Sequence, residues 1–285
     1  MFATGSENLG PHQWRLLARR IEELTADSEV DGVVVTHGTD TLEEAAFFLE
    51  LVIKSGKPVV LTAAMRPSTA LSADGPANLF QAVLAATSPQ LQSHGLLVVM
   101  NGLVIPGWQI IKTDSVALDS FHAYPGGPIG KIIGESLLVF GSPNLSPLVG
   151  RFHDHLRNDD ELPFVDIVLL RGGCGDQPLA DFGGNACKGL VVAGFGSGTM
   201  PDNLTGLVAE TASSGCTVVV SSRVSRVTVL AETMTSVNSK NVFPSGFLNP
   251  QKSALLLSLA LDANLDALEL AELFRIKKTK AVLSF

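Results

Sequence analysis

The chain has 285 residues, enough for two domains that each bury a core, and its 46% hydrophobic against 17% charged residues exclude extended disorder. A formal net charge of −8 and a pI near 5.2 exclude a nucleic acid as partner, because that affinity draws on clustered Lys and Arg. Small polar molecules suit this balance better, and the mean hydropathy of +0.30 suits subunit contacts.

Trp14, Leu17, Ile21 and Leu24 recur with helical periodicity, and DGVVVT (31–36) follows as a short β-branched run of the kind buried in parallel sheets. TLEEAAFFLELVIKSG (41–56) reads as a helix closed by Gly56, and KPVVLTA (57–63) as the next strand, together a β-α-β unit. A further helix starts near Asp74 with Leu79, Ala82 and Val83 on one side, and GLLVVM (95–100) supplies a third strand. From 101 to 141 short apolar pieces are broken by Pro106, Gly107, Pro125, Gly126 and Gly127, the pattern of hairpins and site-forming loops. HDHLRNDDELP (153–163) is polar and charged and reads as a linker. Beyond it, FVDIVLL (164–170), GLVVAGF (189–195) and CTVVVSS (216–222) are strands, with helices near 203–214, 251–264 and 266–275. The expected fold is α/β in two domains. Residues 1–150 form the larger one, a mostly parallel sheet flanked by helices; 151–163 are the linker; 164–285 form a smaller flavodoxin-like domain.

THGTDTLEE (36–44) lies where a strand passes into a helix, the end of an open α/β sheet at which ligands bind. Thr41 with Glu44 reads as a capping box, and an acidic residue there gains ~0.3–1 kcal/mol from the helix dipole. Capping does not account for His37, Gly38, Thr39 and Asp40 crowded ahead of it. A threonine hydroxyl is a poor nucleophile until a base takes its proton. Lys112, after the apolar stretch of GWQIIKTDSVALDSF, is a candidate base, since desolvation favours the neutral amine. By itself a lysine in such a place reads as a snorkelling surface residue, and spacing does not pair it with Asp40.

GVVVTHGTDTL (32–42) resembles the second signature of the L-asparaginase family. The likeness continues through AMRPSTALSADGPANL (64–79), KTDSVALDSF (112–121), SSRV (221–224) and SGFLNPQK (245–252), nearly the whole chain. The resemblance implies a hydrolase that converts L-asparagine, and in some members L-glutamine, to the acid and ammonia through a threonine acyl-enzyme, with neither metal nor cofactor. It assigns Thr39, Asp40 and Lys112 to the family's Thr-Asp-Lys triad: Asp40 holds the substrate's α-amino group and orients Lys112, which acts as base towards Thr39. Ser6 and Glu7 in GSENLG match the pair that holds the α-carboxylate and α-amino ends, and Ala64 offers its carbonyl to the scissile amide. Backbone N–H groups at the helix entrance are expected to steady the oxyanion. A homo-oligomer, a dimer of dimers, is implied as well.

The likeness also has gaps. Family members begin several dozen residues earlier, with a strand ending in a second catalytic threonine and then a flap bearing a tyrosine; Thr4 is too near Ser6 to replace the threonine, and Tyr124 lies elsewhere. Thr199 and Met234 fall where a neighbouring subunit would supply an Asn and a Glu. Weak or absent activity, and a truncated start, are therefore expected. The alternative is a non-catalytic amino-acid-binding remnant of the fold; a tRNA-linked amidotransferase subunit shares the signatures and would require a partner.

Other signals are weaker. GFGSGTM (194–200) has neither G-x-G-x-x-G nor P-loop spacing and reads as a loop near a subunit interface. RGGCGD (171–176) lacks the closing glycine of a nucleophile elbow and a later histidine for Cys174. His153 and His155 read as solvated rather than metal-bound. Cys174, Cys187 and Cys216, an odd number without C-x-x-C spacing, read as free thiols. No run approaches the ~18 apolar residues of a membrane span, and MFATGSENLG is not a signal peptide. A cytoplasmic location is expected.

Overall fold

The structure is a computed structural model that describes residues 2–141, 148–176, 179, 188–234, 237 and 239–276. The chain divides into two compact units, Met1–Glu161 and Leu162–Phe285. Residues 153–157 of the polar stretch form a 3-10 helix, His153–Arg157, whose Leu156 is buried. The Arg19 guanidinium donates to the Leu156 carbonyl at 2.5 Å and the Asn158 carbonyl at 3.2 Å.

In the first unit, helix α1 is Pro11–Ala26 and strand β1 is Val33–Thr36. Helix α2 is Leu42–Val52, β2 Val59–Thr62, α3 Gly75–Ala86 and β3 Leu96–Met100. Hairpin strands follow: β4 Leu103–Pro106, β5 Ile110–Lys112, β6 Phe121–Ala123, β7 Gly130–Ile133 and β8 Ser136–Val139. Among the described residues the sheet order is β1-β2-β3-β4-β7-β8, with β5 and β6 a separate two-stranded ribbon. Strands β1 to β3 are parallel, as the intervening helices require, and β4, β7 and β8 continue the sheet antiparallel, β3–β4 and β7–β8 through short turns and β4–β7 across the segment that holds β5 and β6.

Four local expectations are corrected. First, β1 is not buried along its length: among the described residues it pairs only with β2, so Val34 and Val35 are half-buried and Thr36 is exposed. Second, α2 ends at Val52, short of Gly56. The Glu50 and Leu51 carbonyls near its end accept from the Gly150 and Phe152 N–H groups at 2.9 Å each, so the helix is closed by a distant segment. Gly56 lies instead in a small turn in which the Ser55 hydroxyl bonds both the Lys57 N–H and its carbonyl.

Third, α3 turns Asn78, Ala82, Ala85 and Ala86 inward and leaves Leu79 and Val83 exposed at 43% and 47%. Small side chains let the helix lie close on β2 and β3, where a leucine would hold it off. Fourth, Thr41 precedes α2 but makes no capping bond; its hydroxyl donates to the Ser6 carbonyl at 2.9 Å.

The second unit carries β9 Val165–Leu169, β10 Gly189–Gly194, β11 Thr217–Ser222 and β12 Val242–Pro244, parallel in the order β12-β11-β10-β9. Helices α4 Asp202–Ser213, α5 Pro250–Asp262 and α6 Ala267–Leu273 accompany it. Its core is built from its own residues, including Leu190, Val192, Leu204, Val208, Val218 and Val220. The expected α/β class holds in both units.

Cys174 and Cys216 are buried free thiols; Cys187 lies outside the described residues. His153 faces Glu22 at 2.9 Å, and His155 stands edge-on to Phe152. GFGSGTM forms a tight turn in which the Phe195 and Thr199 backbones bond each other at 2.8 Å. No helix among the described residues is long and apolar enough to cross a membrane.

Candidate active site

The loop between β1 and α2 carries His37 to Thr41, and β2 fixes its start, since the His37 N–H donates to the Thr62 carbonyl at 2.9 Å. Thr39 and Asp40 then sit ahead of the first turn of α2, where the positive end of the helix dipole favours negative charge. Lys112 reaches the same place from the last residue of β5, across more than seventy residues of chain. Its Nζ donates to Thr39 Oγ1 at 3.1 Å and Asp40 Oδ1 at 3.2 Å.

The lysine is more enclosed than its partner. Its side chain is 20% exposed against 64% for Asp40, so water screens the ion pair and its worth is mainly geometric, about 0–1 kcal/mol. Phe121, opposite Lys112 in the ribbon, places its ring 5.9 Å from Nζ, at the outer limit of a cation–π contact.

Ser6 is docked against this loop. Its hydroxyl oxygen accepts the Asp40 N–H at 3.2 Å, and it is buried to 3% exposure. Gly38 makes the docking possible, because a Cβ there would meet Ser6 Oγ at 2.6 Å and Ser6 Cβ at 2.8 Å. Glu7, by contrast, is exposed, and its carboxylate accepts from the Asn8 side chain at 3.3 Å. Thr39, Asp40, Lys112 and Ser6 are thus brought together by bonds.

Ala64 is exposed on the loop after β2. Two residues that sequence reasoning passed over hold that loop. The Asp74 carboxylate accepts from the Met65 and Arg66 N–H groups at 2.9 Å each, and Asn78 donates to the Ala63 carbonyl at 3.0 Å and to Asp74 at 3.1 Å. Desolvation by itself would raise the Asp74 pKa. The N–H groups of Met65, Arg66 and Asp74 itself, with the Asn78 amide, outweigh it and hold the carboxyl below its ordinary value.

His37 lies two residues before Thr39. Desolvation lowers its pKa, only partly offset by its bond to the Gly38 carbonyl. Nδ1 is 2.8 Å from that carbonyl, so Nδ1 carries the proton and Nε2, buried and without a partner among the described residues, holds a lone pair. Glu43, also passed over, is buried at 8% exposure and accepts the Lys112 backbone N–H at 2.7 Å. A carboxylate in a helix buried on nearly every side is the sequence signal that could have found it. Thr199 and Met234 belong to the second unit; Thr199 bonds the Phe195 carbonyl and Met234 joins the core.

Chemically, the cluster offers a hydroxyl beside an amine, a carboxylate able to accept from an ammonium group, and a docked serine. Residues 1–145 match the family Asparaginase, N-terminal, and residues 164–274 the Glutaminase/Asparaginase C-terminal domain. The chain is 38% identical over 257 residues to L-asparaginase 2 of Bacillus subtilis, covering 90% of this chain and 68% of that one. It is 36% identical over 270 residues to L-asparaginase 2 of Escherichia coli, covering 95% and 77%. Among solved structures, a probable cytoplasmic L-asparaginase from Campylobacter jejuni superposes with a TM-score of 0.84 at 37% identity, over 94% of this chain and 85% of that one.

Proposed function

The chain belongs to the asparaginase family, and from that premise we propose that it hydrolyses the side-chain amide of L-asparagine with Thr39 as nucleophile and Lys112 as its base. It is an asparaginase-like amidohydrolase; the roles of the individual residues are the proposal. The observation that carries them is the Lys112 amine within 3.1 Å of Thr39 Oγ1 and 3.2 Å of Asp40.

Lys112, as the amine, takes the Thr39 proton while Oγ1 attacks the amide carbon. The carbonyl electrons move to oxygen, and their return expels ammonia, which receives the proton from Lys112. An ester to Thr39 remains. Water, deprotonated by the same amine, opens it to aspartate and restores the hydroxyl. Asp40 and Glu7 bind the substrate's α-ammonium group, Ser6 its α-carboxylate end, and the Ala64 carbonyl accepts from the scissile amide. No step calls on a metal or cofactor. L-glutamine is a second substrate of the same site, in keeping with the C-terminal family description.

The chain works as a homo-oligomer, a dimer of dimers. Large apolar side chains open to solvent, Phe164 at 79% and Leu169 at 61%, support that reading. Sedimentation at micromolar protein tests it, and a lone 30.0 kDa species overturns it.

The deciding assay measures ammonia release from L-asparagine by the wild-type chain, Thr39→Ala and Lys112→Met. Either substitution is expected to lower turnover by a factor of about 10³ or more, since groups acting as a unit fail together. Turnover that survives Thr39→Ala removes Thr39 as nucleophile. Calorimetry with L-aspartate runs alongside: binding without ammonia release by the wild type favours the amino-acid-binding reading.

A further inference from the structure

We propose that Glu43 is a positioning residue for this reaction, its carboxylate anchoring the backbone of Lys112 and so setting where the amine meets Thr39. The inference rests on the reading of Lys112 as the base.

The two halves of the site come from separate elements. Thr39 and Asp40 are fixed by the entrance to α2, whereas Lys112 ends one strand of a two-stranded ribbon apart from the main sheet. A ribbon of two short strands has little stability by itself. A lysine with four rotatable methylene links on a loose base would find Thr39 Oγ1 only part of the time. Something must fix the root of the side chain as well as its tip.

Glu43 is placed for this. It lies in the first turn of α2, three residues beyond Asp40, and so moves with Thr39 and Asp40. Its Oε2 accepts the Lys112 N–H at 2.7 Å. That N–H is left to donate to Glu43 because of the ribbon's register. Thr113 donates to Ser120 at 2.8 Å and Tyr124 to Gln109 at 2.9 Å, so in the antiparallel alternation Lys112, opposite Phe121, points its N–H away from β6. Glu43 thus joins the helix whose entrance carries the nucleophile to the strand that carries the base. At 8% exposure the carboxylate is out of bulk water, where such a bond is short and directional.

Three substitutions separate anchoring from general support of the fold. Glu43→Gln keeps an oxygen acceptor at the same reach, Glu43→Asp keeps the charge and draws it back by one methylene, and Glu43→Ala removes both. Three quantities are measured on the full chain, with the melting temperature as fold control: kcat and KM for L-asparagine, and the rate at which Lys112 is modified by an amine-reactive ester, followed by mass spectrometry.

Glu43→Asp and Glu43→Ala are expected to lower kcat about 10- to 100-fold, the cost of a misplacement near 1 Å, while KM changes by less than about threefold. Lys112 labelling should rise several-fold in both. Glu43→Gln should stay near wild type in kcat and labelling. A folded Glu43→Asp variant with unchanged kcat and unchanged labelling overturns the proposal. So does a folded Glu43→Gln variant as impaired as Glu43→Ala, which would make charge, not anchoring, the cause. If Glu43→Ala does not fold, the Asp and Gln pair decides. Wild-type chain that releases no ammonia counts against Lys112 as base and leaves the anchoring to the labelling arm: faster labelling in Glu43→Asp supports it, and an unchanged rate overturns it.

Discussion

His37 shows how a residue beside the proposed nucleophile couples the site to pH. Its folded pKa lies below the ordinary 6.5, so the unfolded chain binds a proton that the folded chain refuses. Stability is therefore complete above that value and falls as pH drops from 6.5 through the folded pKa. Urea midpoints at neutral and mildly acidic pH should show this loss, and His37→Gln should remove that part of it; an identical slope in the variant would clear His37. The crowding in THGTDT was legible from sequence because hydroxyl, carboxylate and imidazole occupied a place where a cap needs one side chain. Thr41 was misread because its hydroxyl, whose oxygen in a cap would accept from a helix N–H, donates to the Ser6 carbonyl and makes no capping bond. Glu43 escaped notice because an acidic residue in a first turn already has an explanation in the dipole.

At the scale of elements, the start of the loop after β2 is held by Asp74 and Asn78. Asp74→Asn leaves one amide oxygen for two N–H donors and puts an amide group against the other. The expected cost is about 1 kcal/mol at neutral pH, a figure reduced for the solvent that screens a partly exposed group. Because the folded pKa of Asp74 lies below 3.8, its contribution is present above that value and lost as pH falls through the folded pKa. The difference between wild type and Asp74→Asn, read from urea midpoints, should therefore vanish in strong acid; a difference that persists there would point to packing instead. A KM for L-asparagine raised in the variant would place the loop in substrate binding, as the Ala64 assignment requires. Strands were the more legible elements, since β-branched runs such as VVLT and TVVVSS have few other uses in a folded chain. Helix faces and ends were less so. The inner face of α3 depends on how near the helix sits to the sheet, and the end of α2 on carbonyls met by residues about a hundred positions later.

At the scale of the molecule, each unit owns a core. The hydrophobic cluster of the second unit draws on residues from 170 to 242, all beyond Glu161. Residues 162–285 expressed by themselves are expected to fold cooperatively, with a single urea transition seen alike by far-UV circular dichroism and by the methyl signals of a proton NMR spectrum; a non-cooperative fragment would deny the second unit independence. Lys112 had no visible partner in the sequence because pairing across such a span is written in topology, not in spacing. The same span bears on how the molecule acquires its chemistry. Glu43 meets Lys112 across 69 positions, and Lys112 meets Thr39 across 73. Closing such a loop loses entropy that no local helix or hairpin repays, so these contacts form after the elements they join. On refolding from denaturant, secondary structure would be regained before the amine and the hydroxyl meet. The reactive cluster would thus come into being last, when the rest of its unit is in place to hold it.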